Sequence, residues 1–116
     1  MSKEIEKDIS DIKRIATKFR KDICNGNIKF PFSEDFPRGC CGNASDLLKK
    51  VLEGNSFQNI IYSKGWRNEQ SHGWLEYKGF IIDITADQFW DEENEEIIII
   101  NKNKSDFHKQ FKPGIF

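Results

Sequence analysis

The chain has 116 residues, of which 37% are hydrophobic and 32% charged, with 18 basic and 19 acidic side chains and a net charge of −1. That length suits one domain, 1–116, whose core needs neither disulfide nor metal. The longest apolar run, Ile97 to Ile100, falls far short of the about 20 residues of a membrane span. The charge balance lacks the basic surplus of a general nucleic-acid binder, so neither membrane nor nucleic acid is an expected partner.

Within residues 1–26, Ile5, Ile9, Ile12, Ala16, Phe19 and Ile23 recur every three or four positions, and the spacing predicts an amphipathic helix over 4–24. Asn25-Gly26-Asn27 ends it. Residues 27–39 read as an irregular loop anchored by Phe30, Phe32 and Phe36, because Pro31 and Pro37 resist regular ladders. Ala44, Leu47, Leu48, Val51 and Leu52 predict a second helix over about 41–54, stopped at Gly54-Asn55.

An antiparallel sheet is expected over 57–101. Its strands are Phe57 to Ser63, His72 to Tyr77, Phe80 to Thr85 and Glu96 to Asn101. Residues 64–71 read as a polar loop, Lys78-Gly79 as a two-residue hairpin turn, and Asp91 to Glu96 as an acidic bend. A short helical turn is expected around Asp106 to Phe111. Helices followed by strands give an α+β class, with N-terminal helices packed on an antiparallel sheet.

The cysteines are Cys24, Cys40 and Cys41, an odd count that does not suit a disulfide framework. The charged start lacks the apolar segment of a signal peptide. The expected setting is the reducing cytoplasm, or export without a cleaved signal if the chain is a delivered toxin.

Cys40 and Cys41 open the second helix. The helix dipole and free amide groups there favour a thiolate and can hold a developing oxyanion. A nucleophilic thiol also needs a base, and the base an orienting group. The hairpin supplies both. With a two-residue turn at Lys78-Gly79, His72, Trp74, Glu76, Ile81, Asp83 and Thr85 share one face, and His72 and Asp83 become diagonal neighbours. An isolated carboxylate among Ile81, Ile82 and Ile84 is costly unless paired. Cys24 reads as a small buried hydrophobe and His108 as a surface residue. Zinc-type spacing such as C-x-x-C is missing, and Arg38-Gly39-Cys40-Cys41-Gly42-Asn43 lacks the Lys-Ser/Thr of a phosphate loop, so no metal or cofactor is expected.

At these residues the chain resembles the papain-like superfamily in its transglutaminase-like branch. The matching pieces are Gly39-Cys40-Cys41-Gly42-Asn43-Ala44-Ser45-Asp46-Leu47-Leu48, Ser71-His72-Gly73-Trp74-Leu75-Glu76 and Ile81-Ile82-Asp83-Ile84-Thr85. Phe36-Pro37-Arg38-Gly39 and Ile84-Thr85-Ala86-Asp87-Gln88-Phe89 look like a small group of uncharacterised bacterial proteins of this type. The resemblance covers about residues 36–90 and implies a minimal papain-like core, with a Cys nucleophile, His72 as general base and Asp83 as its orienter. Helical periodicity does not choose between Cys40 and Cys41; the Gly-x-Cys-Gly-x-Ala-Ser pattern of the small group points to Cys41. Two departures stand out. Gly73 replaces the branch's usual Ala. The Gln that papain-like peptidases often carry upstream of the Cys as oxyanion donor has no counterpart between Ile28 and Cys41.

The expected function is acyl transfer on an amide or ester of a protein or peptide, with peptidase, deamidase and transglutaminase outcomes all open. Two alternatives stand beside it: a binding or immunity-type protein without turnover on the same fold, and a delivered bacterial toxin domain with this chemistry.

Overall fold

The computed structural model describes residues 3–89 and 94–113. Helix α1 spans Lys3–Cys24 and α2 spans Cys41–Gly54; strands β1 (Ile61–Arg67), β2 (Gln70–Tyr77), β3 (Phe80–Asp83) and β4 (Ile98–Asn101) follow, and α3 covers Asp106–Lys109. The strands form one antiparallel sheet in the order β1-β2-β3-β4. The class is therefore α+β, with N-terminal helices on a four-stranded antiparallel sheet. No helix among the described residues is long and apolar enough to cross a membrane.

Both faces of the sheet are covered. On one side Ile12, Ala16, Phe19 and Ile23 of α1 and Ala44, Leu48 and Leu52 of α2 pack on Leu75, Tyr77, Ile82 and Ile84. On the other, Trp74 and Ile81 meet Ala86, Phe89, Phe107 and Phe111. This explains the isoleucine run. Ile97 and Ile99 pack into the first layer while Ile98 and Ile100 pack into the second, so a strand covered on both sides carries no polar alternation. It is an edge strand of this sheet.

The Lys78-Gly79 turn has the predicted length. Both residues have positive φ, 47° and 82°, and Tyr77 pairs with Phe80. The expected loop over 64–71 is instead a second hairpin. β1 runs on to Arg67, which pairs with Gln70 across Asn68 and Glu69, both at positive φ. Two features hid it. β1 lies at the sheet edge with Gly65 as its one buried residue, so apolar alternation is missing, and Glu is not a residue that announces a left-handed turn. The strand expected at Phe57 begins only at Ile61, although Phe57 and Ile60 still enter the core, and β4 begins at Ile98 rather than Glu96.

Phe30 and Phe36 anchor the 27–39 segment as expected, but Phe32 is 69% exposed and anchors nothing. Cys24 is exposed, not buried, because it falls off the α1 stripe. Part of the expected acidic bend, 91–93, lies outside the described residues.

Long-range ties hold the segment after β3. Arg20 of α1 is buried and donates to the Ile84 carbonyl at 2.6 Å and to both Asp87 carboxylate oxygens at 2.8 and 2.6 Å. The C-terminal segment pairs with the free edge of β1 through Trp66 and Lys112, with both backbone bonds at 2.9 Å. Phe111 crosses Gly65 so closely that an added Cβ would lie 2.8 Å from the Phe111 Cβ, which accounts for glycine there. Truncating Arg20 leaves Asp87 and a buried carbonyl without their donor. Arg20→Ala is expected to lower the unfolding free energy by about 3 kcal/mol in urea, with the m-value unchanged; a loss below about 1 kcal/mol contradicts the tie.

Candidate active site

Cys41 is the first residue of α2, after Gly39, whose φ of +67° suits glycine, and Cys40, the residue that caps the helix. The helix brings Cys41 to the start of β2. There its sulfur takes a hydrogen bond from His72 and backbone N–H bonds from Gly73 and Gly42. Burial works against a thiolate, but these three donors together bring the Cys41 pKa below its ordinary value.

His72 is fully buried, and its Nε2 lies 2.6 Å from Asp83 Oδ2. With Nε2 committed to the carboxylate, the nitrogen left for the thiol is Nδ1. Burial alone would lower the His72 pKa, yet the Asp83 and Cys41 partners raise it to about 9. Phe89, Trp74, Phe107 and Phe111 ring the imidazole at centroid distances of 4.9 to 5.9 Å. In that water-poor surround a charge pair is held by its own partners rather than by solvent.

Asp83 is 1% exposed. Its Oδ1 accepts the Thr85 backbone N–H at 2.9 Å, and its Oδ2 accepts from two imidazoles, His72 at 2.6 Å and His108 at 2.7 Å. Despite burial, these donors hold the carboxyl well below the usual carboxylate range. The structure thus brings Cys41, His72 and Asp83 together, with His72 and Asp83 paired as the hairpin parity predicts.

His108 corrects the surface reading. It is 4% exposed, edge-on to the Trp74 ring, and held from behind by Ser105, whose oxygen caps α3 and pairs with His108 Nδ1. Phe107 and Phe111, four apart and both in the second core, were the available signal that this turn lies against the sheet.

Cys40 points away from the imidazole. It is fully buried, and its thiol donates to the carbonyls of Phe32 at 3.3 Å and Arg38 at 3.2 Å. Burial, then Asp35, Cys41 and Glu34, push its pKa up. Of the vicinal pair, only Cys41 has the environment of a nucleophile.

The Gly73 departure has a steric cause. A Cβ there would lie 2.1 Å from the Tyr62 hydroxyl, which overhangs the backbone next to Cys41. Burial and the neighbouring Cys41 raise the Tyr62 pKa, so the phenol stays neutral.

The donor atoms of His72, Asp83 and His108 lie within 4.8 Å of one another. A tetrahedral zinc with bonds of about 2.0–2.1 Å would hold its ligand atoms roughly 3.3 Å apart. The carboxylate oxygen here sits 2.6 and 2.7 Å from the two nitrogens, which are hydrogen-bond lengths, so this arrangement does not fit the ion. No family model, curated protein or solved structure matches the chain.

Two outcomes are expected. Iodoacetamide labelling with peptide mapping across a pH series will show the Cys41 inflection below that of a free thiol, about 8.5, with Cys40 protected in the folded chain. His72→Ala will shift the Cys41 inflection upward. Separately, His108→Ala will remove one donor from Asp83 and cost about 2 kcal/mol in urea at neutral pH. A carboxyl with a depressed pKa stabilises the fold above its unfolded value of about 3.9, and that stability fades as pH falls. Both proteins begin to lose stability near that unfolded value, but the variant, whose Asp83 is less depressed, loses less of it, so the stability gap between the two narrows as pH falls. A gap that stays constant through the acid range would contradict the role given to His108.

Proposed function

We propose that this chain is a cysteine-dependent acyl-transfer enzyme on a minimal papain-like, transglutaminase-like core. The reading rests on one observation: His72 is clamped by Asp83 through Nε2 at 2.6 Å and hydrogen-bonds the Cys41 sulfur at a helix start. A binding protein has no need of a thiol activated in this way.

The Cys41 thiolate attacks the carbonyl carbon of an amide or ester. A C–S bond forms and the carbonyl π electrons move to oxygen. Collapse of the tetrahedral adduct re-forms the carbonyl and breaks the bond to the leaving group. The proton on His72 Nδ1 passes to that group, leaving a thioester and neutral imidazole. His72 then takes a proton from the incoming water or amine as it attacks the thioester carbon, and collapse of this second tetrahedral adduct breaks the C–S bond, releasing the product and restoring the Cys41 thiolate beside the protonated His72. Water as acceptor gives hydrolysis or deamidation; an amine gives transamidation. Asp83 keeps Nε2–H in place and stabilises the imidazolium without itself taking the proton. A protein or peptide is the proposed substrate, and the same chemistry would serve a delivered toxin domain.

The test is incubation with a mixed peptide library and an added primary amine, read by mass spectrometry for cleavage, deamidation and amine incorporation. Cys41→Ala is expected to abolish product and Cys40→Ser to retain it. Asp83→Asn should slow turnover by about 10²–10⁴, less than loss of the nucleophile. Product that persists in Cys41→Ala refutes the assignment.

A further inference from the structure

Acyl transfer through Cys41 builds negative charge on the carbonyl oxygen, and a dry site needs fixed donors aimed at it. The Cys41 amide, first in α2, is one group without an intrahelical acceptor. A second donor comes from a residue far downstream of the nucleophile.

Gln88 ends the short 3₁₀ turn Ala86–Gln88 that follows β3. Its Oε1 accepts the Gly39 backbone N–H at 3.3 Å, and its Nε2 lies 3.3 Å from His72 Nδ1. As placed, the amide gives the Gly39 N–H its acceptor; a flip would set the NH₂ against that N–H, donor against donor, in exchange for an oxygen facing Nδ1. In this orientation the NH₂ group lies beside Nδ1, the nitrogen given to the thiol.

What it finds there depends on the proton. When Nδ1 is bare, it can accept from Gln88. When Nδ1–H donates to the Cys41 sulfur, it can accept nothing, and the Gln88 NH₂ faces the site as a donor in need of an oxygen. The state that activates the nucleophile is the state that frees this donor. The turn carrying Gln88 is in turn braced by Asp87, which Arg20 grips through both carboxylate oxygens.

We infer that Gln88 is a catalytic residue, the side-chain donor to the tetrahedral oxyanion formed when Cys41 attacks a carbonyl. The inference rests on the acyl-transfer reading of the same site. It also replaces the upstream Gln that the sequence lacks with one supplied from the opposite side of the nucleophile.

Two reagents separate this role from mere support of the thiol. Iodoacetamide alkylation displaces iodide at a saturated carbon and needs the thiolate alone. Acylation by p-nitrophenyl acetate passes through a tetrahedral oxyanion. The thiolate bonds to the acetyl carbon, the π pair moves to oxygen, and collapse expels p-nitrophenolate, leaving an acetyl thioester that water hydrolyses. Gln88→Ala and Gln88→Met, both checked by thermal melting, are expected to slow p-nitrophenolate release by about 10²–10³ while alkylation of Cys41 at the same pH is unchanged. Equal slowing of both reactions, or of neither, overturns the inference while the enzyme reading stands. A wild-type Cys41 that is acylated no faster than a cysteine in an unfolded peptide overturns both.

Discussion

A carboxylate buried at 1% exposure between isoleucine-rich strands governs this molecule. Asp83 keeps its charge there only because the Thr85 amide and two imidazoles donate to it. Each donor is placed by a different part of the chain: the turn after β3, the start of β2, and the C-terminal helix α3. The C-terminal residues are consequently part of the site, although they share no motif with it. His72 gains a fixed orientation and a raised proton affinity from the same arrangement, and Cys41 gains a cationic neighbour.

The scaffold exists largely to set that register. The two-residue turn at Lys78-Gly79 puts His72 and Asp83 on one face of the sheet, away from the layer that α1 and α2 cover. α2 spans the length of the first core with Leu48 and Leu52, and presents Cys41 at its other end. Tyr62 needs Gly73 to be bare so that its hydroxyl can lie over the backbone beside the thiol. Arg67 closes the far side of the aromatic ring around His72, its guanidinium 5.1 to 5.7 Å from the Phe89, Phe107 and Phe111 centroids.

Legibility in the sequence followed the strength of the local physics. α1, α2 and the β2–β3 hairpin could be read from periodicity and one glycine turn, and the hairpin's parity was enough to pair His72 with Asp83. The β1–β2 hairpin could not be read, because its turn uses Asn68 and Glu69 and its outer strand exposes Ile61 at 61% and Trp66 at 38%. His108 and Gln88 were missed for another reason. Each takes its role from a contact across the fold, His108 through Asp83 and Gln88 through Gly39 and His72, and no spacing in the chain records such a meeting. Cys24 shows the converse: a residue type that is usually buried sits exposed because helical phase, not composition, decides its side.

The ionisation of His72 is the point on which everything else turns, and nitrogen-resolved NMR of its ring across a pH series measures it directly. The account predicts an imidazolium, protonated on both nitrogens throughout the neutral range and losing a proton only near a pKa of about 9. A neutral ring at neutral pH, titrating near the ordinary value of 6.5, would contradict it.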